Sequence, residues 1–178
     1  LQWLYNESPV KEQVVVNDRW GKETRSLHGG FYTTEYDLVH TGNASAVKFE
    51  RPWEECRGIG TSFGFNRTEN FDSYSTTEEL IKILISTVSK GGNLLLDIGP
   101  AADGTIPVIM QQRLMDIGNW LKINGEAIYG TRAFVTGNRG AEINPETGSS
   151  LFFTRKGKDL YVLSTEWPES GIILKGIR

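Results

Sequence analysis

A run of β-branched apolar residues that stops abruptly in polar side chains constrains the fold of this chain more than any other feature. Val14-Val15-Val16 is followed by an amide, a carboxylate, a guanidinium and an indole in Asn17-Asp18-Arg19-Trp20. The run predicts a strand buried on both faces, which is typical of parallel sheets flanked by helices. In such folds the ligand site lies beyond the carboxyl ends of the strands, so we expect chemistry at these four polar positions.

The same transition from apolar to polar residues recurs at 56–66 and at 93–100, with helical patterns in between. Apolar residues at helical spacing predict one helix between an N-cap at 75–78 and a Gly91-Gly92 stop, and a second from Pro107 to Asn124. Three strand–helix repeats indicate an α/β fold, either a barrel or a doubly wound sheet.

From Arg132 onward the sequence becomes rich in turn residues. Apolar runs at 150–154 and 159–164 around a short glycine turn predict a β-hairpin, and a third strand is expected at 172–174. We therefore expect an α/β domain over residues 1–131 and the opening of an antiparallel β domain over 132–178. The 38% hydrophobic share and five tryptophans are enough to build a core.

Composition also excludes several classes of function. The net charge of −3 gives no basic field, so we expect no nucleic-acid partner. No apolar run approaches the roughly 20 residues that a membrane-spanning helix needs, so no membrane span is expected. The single cysteine, Cys56, cannot form an internal disulfide and is expected to be a buried thiol.

The chain resembles the α-L-fucosidases of glycoside hydrolase family 29, in the C-terminal half of their catalytic barrel. The motifs that carry the resemblance keep their order from residue 3 to about residue 131: NESP at 6–9, NDRWG at 17–21, HGGFYTTEY at 28–36, PWEECRGIGTSFGFN at 52–66, VSKGGNLLL at 88–96, IGPAADGTIP at 98–107 and GNWLKINGEAIYGT at 118–131. The resemblance implies a partial (β/α)8 barrel of the TIM type, followed by the beginning of an antiparallel β-sandwich. It also implies a retaining hydrolase of terminal α-L-fucosyl residues whose nucleophilic aspartate lies upstream of position 1, so the 178 residues alone are expected to be inactive.

The resemblance assigns the general acid/base to Glu35, in a long polar connection that we predict from Gly21 to Glu50. Retaining hydrolysis needs two carboxyl groups about 5 Å apart, one as nucleophile and one to exchange a proton with the leaving oxygen. Aromatic neighbours at 31, 32 and 36 could partly desolvate Glu35, as a proton donor requires. The alternative is a solvated loop glutamate, in which case Glu54 is the next candidate.

Four further residues are expected to bind substrate. Arg19 would offer a planar fork of donors to sugar hydroxyls or to the nucleophile, and the alternative is a structural ion pair with Asp18 or another carboxylate at the rim. Phe63 matches the residue that faces the methyl group of fucose, and the alternative is a core aromatic. Trp53 and Glu54 match the Trp-Glu pair of the family, in which the indole either stacks on a sugar or packs inside the barrel.

The remaining expectations concern cofactors, partners and compartment. We expect no metal and no cofactor, because His28 has no second ligand at metal-binding spacing, and Asp97 is only a further carboxylate candidate at a strand end. The resemblance implies fucosylated glycans as partners and an extracellular, periplasmic or lysosomal location. Sequons at Asn6, Asn43 and Asn66 permit glycosylation. A carbohydrate-binding pseudoenzyme, or another hydrolase on the same barrel, remains an alternative.

Overall fold

The computed structural model describes residues 1–21, 24, 30–36, 51–134, 141–143, 150–167, 172 and 174, and gives the backbone alone at 141–143 and 150. The expectations for His28 and for the sequon at Asn43 lie outside the described residues. The chain is an α/β structure that divides into two compact units, residues 1–56 and 57–178. No helix in the described part of the chain is long and apolar enough to cross a membrane.

The first unit contains one short helix and a parallel pair of strands. Helix α1 covers Gln2–Asn6, strand β1 covers Tyr32–Glu35, and strand β2 covers Trp53–Gly58, whose last two residues belong to the second unit. β1 and β2 run parallel, with Tyr32 opposite Trp53 and Glu35 opposite Cys56. β1 lies inside the segment from Gly21 to Glu50 that the sequence predicted to be a long polar connection. Its tyrosine and two threonines favour extended backbone, although their polarity hides the strand pattern.

The strand predicted over Val14–Val16 is wrong. In the described residues the backbone beside it pairs at one isolated bridge, between Asn17 and Phe31. Val15 is 71% exposed, which contradicts burial on both faces. A strand requires a ladder of backbone pairs, and valine runs supply propensity for extended backbone without supplying the partner.

A single backbone oxygen, that of Val16, joins the start of the polar segment to the residues directly before β1. The Val16 carbonyl accepts hydrogen bonds from the N–H groups of Gly30 and Phe31, at 2.9 and 3.1 Å. A side chain at Gly30 would collide with this carbonyl, so only glycine allows the approach. The closure places Asp18 and Arg19 beside the start of β1.

The second unit confirms both predicted helices. Helix α2 covers Thr77–Ser89 and begins with a reciprocal capping box, in which the N–H of Glu79 donates to the Thr76 hydroxyl and the N–H of Thr76 donates to the Glu79 carboxylate. Helix α3 covers Val108–Asn124, with Pro107 before its first residue and Gly125 after its last.

Strand β3, Gly92–Asp97, lies between the two helices and confirms the predicted third strand. The N–H of Ile59 donates to the carbonyl of Asp97 at 3.3 Å, which ties the end of β2 to β3. The sequence predicted a strand from Cys56 onward. In the structure this strand, β2, begins earlier, at Trp53, and ends at Gly58, because Gly60 and the polar residues after it form a loop. Short 3₁₀ helices cover Phe71–Ser73 and Gly125–Ala127.

The C-terminal part is an antiparallel sheet built around one strand. Strands β4 (Arg132–Ala133), β5 (Ala141–Ile143) and β7 (Asp159–Ser164) all pair with β6 (Ser150–Lys156). β6 and β7 form the predicted hairpin, whose turn contains Gly157 at a φ of 61°. Positions 172 and 174 lie outside any strand, and 173 is outside the described residues, so the strand predicted there is not observed.

Two apolar clusters hold the second unit together. The buried residues of one are Ile59, Leu80 and Met110, which connect the loop after β2 to both helices. The buried residues of the other lie on α2, after α3 and on the hairpin: Ile85, Ile128, Phe152 and Leu163. The helical spacing of the apolar residues in α2 thus serves two cores, one at each end of the helix.

Candidate active site

Alternate residues of the β1–β2 pair form a polar face. Side chains alternate along a strand, and the parallel register sets Thr33 opposite Glu54 and Glu35 opposite Cys56. These four side chains therefore share one face of the pair. Thr33 is buried, whereas the other three are half-buried. In addition to the Thr33 hydroxyl, the face carries two carboxyl groups and a thiol.

Arg19 reaches this face from the segment that precedes β1. Its Nη1 donates to the Glu35 carboxylate at 2.7 Å, its Nε donates to the Thr33 hydroxyl at 2.8 Å, and its Nη2 donates to the Thr34 carbonyl at 3.2 Å. The side chains of Arg19 and Glu35 remain 31% and 35% exposed. The structure therefore brings together the two residues that the sequence predicted as substrate ligand and acid/base.

The ion pair of Arg19 is with Glu35 and not with its neighbour Asp18. Asp18 is fully buried, and its Oδ1 accepts the N–H of Thr33 at 3.1 Å and the Thr33 hydroxyl at 2.6 Å. Partial burial acts to lower the pKa of Arg19, but the hydrogen bond and charge of Glu35 outweigh it, so the pKa is raised. The guanidinium is therefore a permanent cation on the polar face.

Glu35 is partly buried at the end of β1. A third of its side chain is exposed, and its carboxylate forms an ion pair with the guanidinium of Arg19. Tyr36, the next residue, has a φ of 56°, a left-handed conformation that costs a residue other than glycine about 1 kcal/mol. This conformation ends β1 directly after Glu35.

Glu54 lies on the same face, one strand away. Partial burial raises the pKa of Glu54, and the nearby charge of Arg19 offsets part of that effect. A carboxyl group of this kind holds its proton to higher pH than an ordinary glutamate does. The polar face therefore combines a carboxylate in an ion pair, a fixed cation and a second carboxyl group suited to proton donation.

The opposite face of the same strands is closed to solvent. The Thr34 hydroxyl donates to the Glu55 carboxylate, and Thr34 and Glu55 are 4% and 0% exposed. Trp53 lies on this face and is 1% exposed. Its burial favours packing, one of the two alternatives for this indole, over direct stacking on a sugar.

Phe63 lies in the second unit, in the loop after β2, and is half-buried. The loop is held by Glu69, whose Oε1 accepts the Thr61 hydroxyl at 2.8 Å and the Ser62 N–H at 2.9 Å. Burial acts to raise the pKa of Glu69, but these hydrogen bonds prevail and lower it. Glu69 therefore stays ionised near neutral pH and anchors the residues directly before Phe63.

Two other expectations concern metals and additional carboxylates. Within the described part of the chain, no three side chains of His, Cys, Asp or Glu are grouped so that they could hold a metal ion. Asp97 is half-buried at the end of β3, in the second unit.

Sequence reasoning missed Thr33 as a partner of the site residues. The threonine contacts both Asp18 and Arg19 and lies two residues before Glu35. A strand reading of Tyr-Thr-Thr-Glu would have found it, because alternation places the first threonine and the glutamate on one face. The signal was present in the sequence, but the polar connection around it obscured the strand.

Known proteins similar to this chain are alpha-L-fucosidases. The family model described as Alpha-L-fucosidase matches residues 1–126. The plasma alpha-L-fucosidase of Pongo abelii is 45% identical over 99% of this chain, and the tissue alpha-L-fucosidase of Homo sapiens is 41% identical over 97% of it. The chain spans 36% and 35% of the lengths of these two relatives, about a third.

A solved structure gives the same result. The crystal structure of the Thermotoga maritima alpha-fucosidase in complex with fucose superposes with a TM-score of 0.72 at 38% identity, covering 91% of this chain and 33% of that one. The family model covers more than half of the chain, and the relatives match almost all of it. The chain belongs to the alpha-L-fucosidase family.

Proposed function

We propose that the protein carrying this chain is a retaining exo-α-L-fucosidase, which hydrolyses terminal α-L-fucosyl residues of glycans and glycoconjugates. The observation that carries the proposal is the Arg19–Glu35 pair on a partly exposed polar face, in a chain of this family. A Thermotoga maritima member of the family holds fucose in its crystal structure, which supports fucose as the sugar.

Glu35 is proposed as the general acid/base. It would donate a proton to the departing oxygen in the first step and take one from water in the second. Its position at the end of β1 supports this role, because the ends of parallel strands are where barrel enzymes hold their reacting groups. Glu54, on the same face and with a raised pKa, is the alternative proton donor.

Arg19 and Glu54 are proposed to bind the hydroxyl groups of the sugar. A guanidinium has five N–H bonds, and three of those of Arg19 are committed to Thr33, Thr34 and Glu35. The other two have no partner among the described residues, which leaves them available to ligand oxygens. Trp53 is proposed to support the site from behind, because the indole is buried on the opposite face.

Phe63 is proposed to face the methyl group of fucose. A 6-deoxy sugar is selected by an apolar surface at C6 together with polar groups at the hydroxyls. Phe63 is half-buried in a loop that Glu69 anchors, so its ring is partly available. The nucleophilic carboxylate is proposed to come from residues upstream of position 1, and the 178 residues expressed alone should therefore not turn over a fluorogenic fucoside.

The proposed architecture is part of a (β/α)8 barrel over residues 1–131 and the beginning of a β-sandwich over 132–178. The parallel β1–β2 pair supports the first, and the antiparallel sheet around β6 supports the second. We propose a secreted or lysosomal protein, in keeping with the plasma and tissue relatives. The sequon residue Asn6 is exposed, which supports glycosylation there.

An NMR time course with an aryl α-L-fucoside tests the proposal. Retention requires α-L-fucose as the first product, followed by slow mutarotation. Appearance of the β-anomer first would contradict it. An aryl galactoside distinguishes another hydrolase on the same barrel, and fucose binding without turnover would identify a pseudoenzyme.

A further inference from the structure

We propose that Thr33 is a positioning residue for the site: its hydroxyl, fixed by the buried carboxylate of Asp18, holds the Arg19 guanidinium in its working orientation independently of Glu35. This inference rests on the proposed function, because the orientation matters through the reaction at Glu35. It follows from a chain of hydrogen bonds that runs from Asp18 through Thr33 and Arg19 to Glu35.

The direction of each hydrogen bond in this chain is fixed by chemistry. Arg19 Nε carries a hydrogen and has no acceptor capacity, so the Thr33 oxygen must accept at the 2.8 Å contact. The single hydroxyl hydrogen of Thr33 is then directed to Asp18 Oδ1, at 2.6 Å. Asp18 Oδ1 also accepts the Thr33 N–H, at 3.1 Å. The Thr33 oxygen therefore presents a lone pair to Arg19 in a single orientation.

Burial strengthens this arrangement. Asp18 is 0% exposed and Thr33 is 2% exposed, so water does not compete for the bond between them. A hydrogen bond to an ionised group is stronger than a neutral one, and more so where the local dielectric constant is low. Thr33 is thus a rigid acceptor on a strand, whereas the arginine that it holds is a long side chain with several rotatable bonds.

Two anchors hold Arg19 without Glu35. Nε is bound to the Thr33 hydroxyl and Nη2 to the Thr34 carbonyl, and these two contacts fix the plane of the guanidinium. Glu35 can therefore leave Nη1 to exchange a proton with a leaving group, and the cation stays where it was. Without the Thr33 contact, the guanidinium would be held only by the Glu35 carboxylate and by the 3.2 Å bond to the Thr34 carbonyl. A movement of Glu35 would then also move Arg19.

The other charged or titratable groups near Arg19 do not replace this function. Asp18 and Cys56 lie close enough to influence the pKa of Arg19, and Glu54 lies close enough for its own pKa to respond to Arg19. Among the described residues, however, no hydrogen bond joins any of these three to the guanidinium. Thr33 is the side chain that supplies direction.

The test uses the whole protein and four versions of it: wild type, Thr33→Val, Thr33→Ser and Thr87→Val. Valine matches threonine in shape and removes the hydroxyl, whereas serine restores it. Thr87, in α2, is the matched control because it is also fully buried and its hydroxyl has no hydrogen-bond partner among the described residues. The measurements are kcat and KM on an aryl fucoside, together with phenylglyoxal modification of Arg19 followed by peptide mass spectrometry.

We expect Thr33→Val to lower kcat by up to about tenfold, within the range that small misplacements of a catalytic constellation produce. KM should change less than kcat, because orientation acts mainly in the transition state. Arg19 should react severalfold faster with phenylglyoxal in Thr33→Val. Thr33→Ser should recover most of the rate, and Thr87→Val should match wild type in both measurements.

Each negative result has a separate interpretation. Wild type without turnover on any fucoside would refute the proposed function, and the reactivity of Arg19 would then judge the positioning role alone. An active wild type whose Thr33→Val variant equals Thr87→Val in kcat and in Arg19 reactivity would overturn the inference. So would a loss in Thr33→Val that Thr33→Ser does not recover, because that result would assign the effect to the shape of the side chain.

Discussion

The two faces of the β1–β2 pair use the same residue types for opposite purposes. One face carries Glu35 and Glu54, which are half-buried beside Arg19, whereas the other carries Glu55, fully buried against Thr34. Glu54 and Glu55 are adjacent in sequence. Their difference shows that a residue's position in the alternation along the strand, and not its type, decides whether a carboxylate is partly exposed or fully buried.

The energetic reason is the cost of burying charge. Glu55 is removed from water and needs internal hydrogen bonds, such as the one from Thr34, to remain there. About a third of the Glu35 side chain is exposed, so its carboxylate stays accessible to solvent protons. A general acid/base has to exchange protons, so a partly exposed face suits such a group better than a fully buried one.

The largest expected effect tests the polar face. Glu35→Gln in the whole protein should slow hydrolysis of a fucoside with a poor leaving group by about 100-fold or more, because proton donation matters most for a basic leaving group. In Glu35→Ala, azide should partly rescue turnover of an activated aryl fucoside. If Glu35→Gln kept wild-type rates on natural fucosides, Glu35 would not be the acid/base and Glu54 would be the next candidate.

The opposite face should respond in stability. Glu55→Gln places amide N–H donors in a buried site built for an acceptor, so the free energy of unfolding should fall by about 2 kcal/mol. Glu54→Gln, the same change one residue earlier, should shift it by less than about 0.5 kcal/mol. Urea unfolding of both variants makes this comparison, and equal losses would mean that the two faces do not differ as described.

Arg19→Lys tests whether the site needs the guanidinium of Arg19 or only its positive charge. An ammonium group cannot contact the Thr33 hydroxyl, the Thr34 carbonyl and the Glu35 carboxylate in the geometry of a planar fork. We expect kcat/KM to fall by about tenfold, with a melting temperature close to that of wild type. Steady-state kinetics and calorimetry on the same preparation test this, and full activity would show that charge alone suffices.

The smallest effect is a pH dependence at Glu54. Because burial raises its pKa in the folded state, the folded protein binds this proton more tightly than the unfolded chain. The resulting stability is complete below the unfolded pKa of about 4.3 and is lost as pH rises through the folded pKa. Glu54→Gln should therefore gain about 2 °C or less in melting temperature relative to wild type between pH 4 and pH 7. A relative loss over this interval would have the wrong sign.

The elements that the sequence predicted well are those whose partners lie close in sequence. The apolar spacing of α2 and α3, the N-cap expected at 75–78, and the β6–β7 hairpin are local signals, and the structure confirms them. Local signals determine helices and hairpins because hydrogen bonds and turns in these elements join residues close in sequence.

The site was only partly predictable. Arg19 and Glu35 were identified by resemblance, but their 2.7 Å contact depends on the closure at Val16 and on the register of β1. Neither can be derived from composition, because pairing distant segments depends on the tertiary structure. The strand predicted at Val14–Val16 failed for the same reason: propensity without a paired ladder does not make a strand.

The closure at Val16 has a consequence for which positions beside the candidate site can change. The Val16 carbonyl accepts hydrogen bonds from the N–H groups of Gly30 and Phe31, and these bonds do not involve the Val16 side chain. The identity of the residue at position 16 can therefore vary within what its burial allows. Position 30 is restricted to glycine, because any side chain there would collide with the same carbonyl.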